Sequence, residues 1–181
     1  MKQRFNNVKF LGDYSFLKKQ TQEKFMSTIS QYNSFGEDRT SVLDTLFHPN
    51  IKRPLIHLGN DIFKHENSLV VSNVDGTVVN IYTDKSEFCG WGTRITIANN
   101  EKMYLFGHLK KVDVVLGQYV SINNVLGVVG EYENNGGWFE HVHIQCCDKN
   151  WYYHYNQETI PGYATSTVCH YNIFNLDSSF K

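Results

Sequence analysis

The sequence predicts a mainly β protein, a compact antiparallel β sandwich with an N-terminal helical extension. Short runs rich in Val, Ile and Tyr recur from residue 54 onward, at 68–71, 76–82, 93–98, 102–106, 118–121, 125–129 and 140–145. Turn signals separate them, among them Asp75-Gly76 and Asn99-Asn100, the second placed between two runs as a hairpin requires. No helical stretch interrupts the series, so the strands should pair antiparallel rather than through helical crossovers.

The segments divide the chain into three. Residues 1–50 read as a helical extension and connector. Phe16, Leu17, Phe25, Met26 and Ile29 form a loose apolar stripe among Lys, Gln and Glu. Gly36 ends that pattern, and Arg39 with Glu37 and Asp38 reads as a surface turn or the rim of a site. Pro49 and Pro54 keep the connector irregular. Residues 51–150 hold the β runs. Residues 151–181, aromatic and Asn-rich with a turn at Pro161-Gly162, read as a C-terminal extension packed on the domain.

Composition narrows the function. A chain of 181 residues with 41% hydrophobic content can bury one core, so a disordered chain is excluded. The net charge is −1 and basic residues cluster no further than Lys18-Lys19 and Lys110-Lys111, which argues against nucleic acid and against a polybasic membrane anchor. No stretch approaches the roughly 20 apolar residues that span a bilayer. No secretory signal is seen, so the expected location is cytoplasmic, or outside by a route that uses no signal peptide. The four cysteines, Cys89, Cys146, Cys147 and Cys169, lack a Cys-x-x-Cys pattern. Adjacent Cys146 and Cys147 would face opposite sides of a strand, so the expectation is reduced thiols, one in the core and one on the surface.

The chemistry lies in the histidines. On a strand the side-chain period is two, so His141 and His143 share a face while Val142 and Ile144 take the other. His57 and Asp61 are candidate partners in His57-Leu58-Gly59-Asn60-Asp61. Four residues of straight strand would part them by about 13 Å, too far for one ion, so the chain must bend, and Gly59 would permit unusual dihedrals there. His57, Asp61 and one of the 141/143 pair would give three protein ligands with an open fourth position, the arrangement of catalytic zinc. The other imidazole and His108 would then stand free. One could take a proton from water and the other could hold the water or the developing oxyanion. His48, His65, His154 and His170 have no such setting and read as surface or core residues.

These motifs resemble the lysostaphin/LytM-type zinc metallopeptidases, which cleave peptide cross-links of bacterial cell walls. The family's His-x-Gly-x-Asp, later His-Leu and terminal His-x-His correspond to His57-Leu58-Gly59-Asn60-Asp61, His108-Leu109 and His141-Val142-His143, in family order across about residues 54–147. Asp75-Gly76-Thr77-Val78 and the glycines of 117–130 are similar to the family's strand turns. The resemblance implies a Zn2+ cofactor held by His57, Asp61 and His143, with His108 and His141 as unligated catalytic histidines. It also implies a site in a groove of the β domain at 51–150, and a peptide substrate, most simply from peptidoglycan. The segments at 36–39, 133–138 and 161–164 are further similar to peptidase-type domains fused to phosphotransferase and aminotransferase modules, which would place a related amide or peptide hydrolysis inside a cell. A non-catalytic, peptidase-like binding or regulatory module is the remaining alternative. Such members lose ligands, and all five positions are filled here. A lipoyl-like carrier expects a lysine at a hairpin tip, and the tip at 121–124 has none. Oligomeric state has no signature in the sequence.

Overall fold

A computed structural model describes residues 35–40, 54–65, 67–84, 90–131, 134–135, 140–155 and 160–176. The helix expected before residue 35 lies outside the described residues, as do His48, Cys89 and Trp138. The described strands are β1 (Ile56–His57), β2 (Asn60–Phe63), β3 (Leu69–Val71), β4 (Gly76–Thr83), β5 (Thr93–Asn99), β6 (Lys102–Val112), β7 (Tyr119–Val120), β8 (Val125–Val129), β9 (His141–Asp148), β10 (Tyr163–Ala164) and β11 (His170–Tyr171). A short helix, Lys149–His154, follows β9. The architecture is mainly antiparallel β, as the sequence predicts.

Every strand pairing among the described residues is antiparallel. The main sheet runs β11-β9-β6-β5-β4-β7, with β2 also on β9, and β8 bridging β6 to β3. β5 and β6 form the expected hairpin, closed at Asn99 opposite Lys102 with Asn100 at φ 48°.

β6 is the organising strand. Its first part, Lys102 to Gly107, pairs with β9, and its last part, Leu109 to Val112, pairs with β8 on the same edge. The change of partner falls at His108, which has φ 65°. A non-glycine residue in that left-handed region is uncommon, and such positions concentrate at functional sites. Here it lifts His108 out of the ladder. Its N–H goes instead to Trp91 O (2.8 Å), and its carbonyl accepts from Gly130 N (2.8 Å).

Apolar packing covers both faces of β9. Val142, Ile144 and Cys146 join Ile95, Ile97, Phe106, Leu109 and Leu126 in the larger core. Cys147 faces the other way into a smaller core with Met103, Leu105, Tyr152 and Ile160. Cys146 and Cys147 do point apart, yet neither reaches the surface, because the short helix and the segment at Ile160 cover the second face. Both are free thiols, and burial pushes the Cys146 thiol up to about 12. Tyr104 belongs to the larger core.

Candidate metal centre

The chain bends at Gly59 between β1 and β2, and this bend places His57 and Asp61 on one centre, with His57 Nε2 3.5 Å from Asp61 Oδ1. The expected reason for the glycine needs correcting. Gly59 is not among the residues with positive φ. It is instead a clearance: a Cβ there would lie 2.5 Å from His143 Nε2 and 2.7 Å from the Ile144 carbonyl oxygen. Backbone at Ile144 cannot give way cheaply, so Gly59→Ala is expected to push His143 aside. Chelator competition should show weaker zinc binding and thermal unfolding a lower midpoint, and wild-type values for both would refute the clearance argument.

Asp61 lies directly across the β2–β9 ladder from His143. Opposed residues project from the same face, and His143 Nδ1 comes within 3.1 Å of Asp61 Oδ1 and 3.0 Å of His57 Nε2. Three electron-pair donors thus sit on a triangle with edges of 3.0, 3.1 and 3.5 Å. Ligands on zinc at about 2.0–2.1 Å in a tetrahedron stand about 3.3 Å apart. The donor set and its spacing therefore fit Zn2+, and this trio is the one among the described residues whose ligand atoms converge in this way.

His141 shares the face of β9, with Nε2 3.6 Å from Asp61 Oδ1, and its ring lies 4.4 Å from that of His108. His108 thus reaches the centre from β6, His141 and His143 from β9, and His57 and Asp61 from the bend. All five are buried. Burial, then the neighbouring His141 and His143, hold His108 well below the ordinary histidine range, so it stands neutral at pH 7 and keeps a nitrogen lone pair. Trp91 forms a wall of the site. It stacks near His108 (6.3 Å between centroids), meets His143 edge-on (4.9 Å), and anchors its indole N–H on Ile160 O (2.8 Å). Gly107 makes room for it, since a Cβ there would lie 2.6 Å from the Trp91 ring.

Arg39 is more than a turn residue. Residues 36–39 hydrogen-bond along β1, with Gly36 N to His57 O, His57 N to Glu37 O and Arg39 N to Leu55 O, each 2.9 Å. That lays the guanidinium against the site, where Arg39 Nη2 donates to Asp61 Oδ2 at 2.7 Å. Oδ2 is thereby occupied and Oδ1 is left facing the two imidazoles. Burial alone would raise the Asp61 carboxyl, but His57, Arg39 and His141 outweigh it and hold the group well below the carboxylate range. Tyr163, opposite His57 in the β1–β10 pair, packs beside both His57 and Arg39. In the metal-free protein Arg39→Met would strip the buried Asp61 Oδ2 of its guanidinium donor. The expected cost is roughly 3 kcal/mol, readable by denaturant unfolding, and a loss of a few tenths would contradict the role.

Two further residues were not picked out from the sequence. Gln145 continues the His141/His143 face of β9, and period two alone could have flagged it. His170 is buried on β11 beside Gln145, while His65 and His154 are exposed. Nothing in the local sequence marks His170, because β11 reaches β9 only through the fold.

Two imidazoles and a carboxylate converging on one point, with two more imidazoles alongside, form the donor set of a metal-dependent hydrolase. The chain belongs to peptidase family M23, whose sequence profile matches residues 55–155. Among solved structures it is similar to the catalytic domain of lysostaphin, the antimicrobial peptidase of Staphylococcus simulans, at 17% identity and TM-score 0.55, covering 84% of this chain and 94% of that one. It is also similar to the catalytic domain of the prophage-encoded M23 protein EnpA from Enterococcus faecalis, at 16% identity and TM-score 0.52 over 66% of this chain and 80% of that one. LytU gives 18% identity and TM-score 0.52 over 78% and 79%. At these identities the likeness is one of fold. Against a longer lysostaphin chain the cover is 42% of that chain. No curated protein sequence matches.

Proposed function

We propose that the protein is a zinc-dependent metalloendopeptidase acting on peptide bonds, with peptidoglycan cross-links as its first substrate class. The observation that carries this reading is the triangle of His57 Nε2, Asp61 Oδ1 and His143 Nδ1. Membership of the peptidase family supports it.

In this reading His57, Asp61 and His143 hold the ion. Zinc in such a site supplies a Lewis acid that polarises a carbonyl and lowers the pKa of water. The protein's own groups do the rest. His108, neutral and buried, accepts a proton from the attacking water. His141 lies between His108 and Asp61 and can hold the water or donate to the oxyanion as it forms. The five side chains are buried, with Trp91 against His108 and Tyr163 against His57, and burial strengthens each of these contacts. No helix among the described residues is long and apolar enough to cross a membrane.

The test is a substrate panel on zinc-loaded protein: isolated sacculi, glycine-containing and D-amino-acid wall peptides, and unrelated L-peptides and small amides. Release of new amino termini from wall material supports the proposal. Turnover of small amides alone would replace it with the intracellular hydrolase reading, and no turnover of any substrate by a zinc-loaded protein would favour a binding module.

A further inference from the structure

Behind the ligand His143 runs a line of hydrogen bonds that leaves the region matched by the family. His143 Nε2 lies 3.4 Å from Gln145 Oε1. Gln145 Nε2 lies 3.3 Å from Pro161 O and 3.2 Å from His170 Nε2. His170 Nδ1 lies 3.0 Å from Val168 O. All three side chains are buried, and Trp151 meets the His170 ring edge-on at 4.2 Å and fixes its plane.

Donor and acceptor chemistry assigns the protons. The carbonyls of Val168 and Pro161 can only accept. His170 Nδ1 therefore carries its proton and donates to Val168. Burial keeps this imidazole neutral, so its Nε2 is a bare acceptor. The Gln145 amide has one workable orientation. Flipped, its oxygen would face both the Pro161 carbonyl and the bare His170 nitrogen, acceptor against acceptor. Its NH2 therefore serves those two groups, and its oxygen turns to His143. That oxygen needs a donor, and His143 Nε2–H supplies it. The remaining nitrogen, Nδ1, is the one turned to Asp61 and His57.

We propose that Gln145 and His170 form a positioning relay that holds a proton on His143 Nε2 and so presents Nδ1 as the ligand atom. The inference rests on His143 being a metal ligand, as proposed above. Its distinctive part is His170, which lies outside residues 55–155 and is brought to β9 by the β11 pairing of His170 with Cys147. The segment after the helix would then serve the metal centre as well as the packing. Partners that orient a ligand histidine through its second nitrogen typically govern metal affinity by about 10–100-fold.

The test begins with the wild-type chain, labelled with 15N and read through long-range histidine 1H–15N correlations, both metal-free and with zinc. The relay requires His170 protonated at Nδ1 and bare at Nε2, and His143 protonated at Nε2, in both states. Gln145→Leu should weaken zinc binding in chelator competition by about 10–100-fold, and His170→Phe should weaken it less. A proton on His170 Nε2, a bare His143 Nε2, or wild-type zinc affinity in folded Gln145→Leu would each overturn the relay. The wild-type spectra decide even if a variant does not fold. The metal-free spectrum also separates the two ideas: a chain that took up no zinc would end the peptidase reading, while the proton positions would still report on the relay.

Discussion

His143→Ala is expected to yield a folded protein that holds no zinc and cleaves no peptide. The side chain is the corner of the donor triangle nearest to both others, 3.0 Å from His57 and 3.1 Å from Asp61. Loss of an outer partner costs about 10–100-fold in metal affinity, and loss of a ligand should exceed the upper end of that range. His57→Ala should behave alike. Asp61→Ala should lose zinc as well, but it also strips Arg39 of a buried partner, so it carries a stability cost of its own. His143→Ala is therefore the cleaner variant. Elemental analysis beside a peptide-release assay reads the outcome, and full zinc in folded His143→Ala would remove it from the ligand set.

His108→Ala and His141→Ala should do the reverse. Zinc is retained and kcat falls by about 10²–10⁴-fold, the usual contribution of a positioned acid or base. The distinction matters most for His141. Its Nε2 is 3.6 Å from Asp61 Oδ1, close to the spacing of the ligands themselves. Were it a fourth ligand, the site would be closed and structural in type. Zinc kept in His141→Ala leaves the position open for substrate. Zinc lost there would end the catalytic assignment.

Much of this was legible in the sequence because two periodicities are local. Alternation on β9 put His141 and His143 on one face and Val142 and Ile144 on the other, and the four-residue spacing of His57 and Asp61 demanded a bend. The reason for Gly59 was not legible. Its clearance against His143 is a contact between residues 84 positions apart, which no local pattern marks. Arg39 was hidden for the same kind of reason. Among Glu37, Asp38 and Thr40 it reads as a surface turn or the rim of a site, and only its pairing beside β1 shows that it turns toward Asp61. Cys146 and Cys147 show the limit of an alternation argument. Period two says that two side chains point apart, and says nothing of what covers each face. His108 was identified by its place in the family order, but its left-handed backbone and its role as the point where β6 changes partners needed the sheet.

X-ray absorption at the zinc edge of the reconstituted protein reads the ligand shell itself. One zinc per chain is expected, with a first shell of nitrogen and oxygen alone at about 2.0–2.1 Å and multiple scattering from two imidazoles. A sulfur shell near 2.3 Å would place the ion on cysteine instead, and no bound zinc after reconstitution would contradict a metal centre at His57, Asp61 and His143.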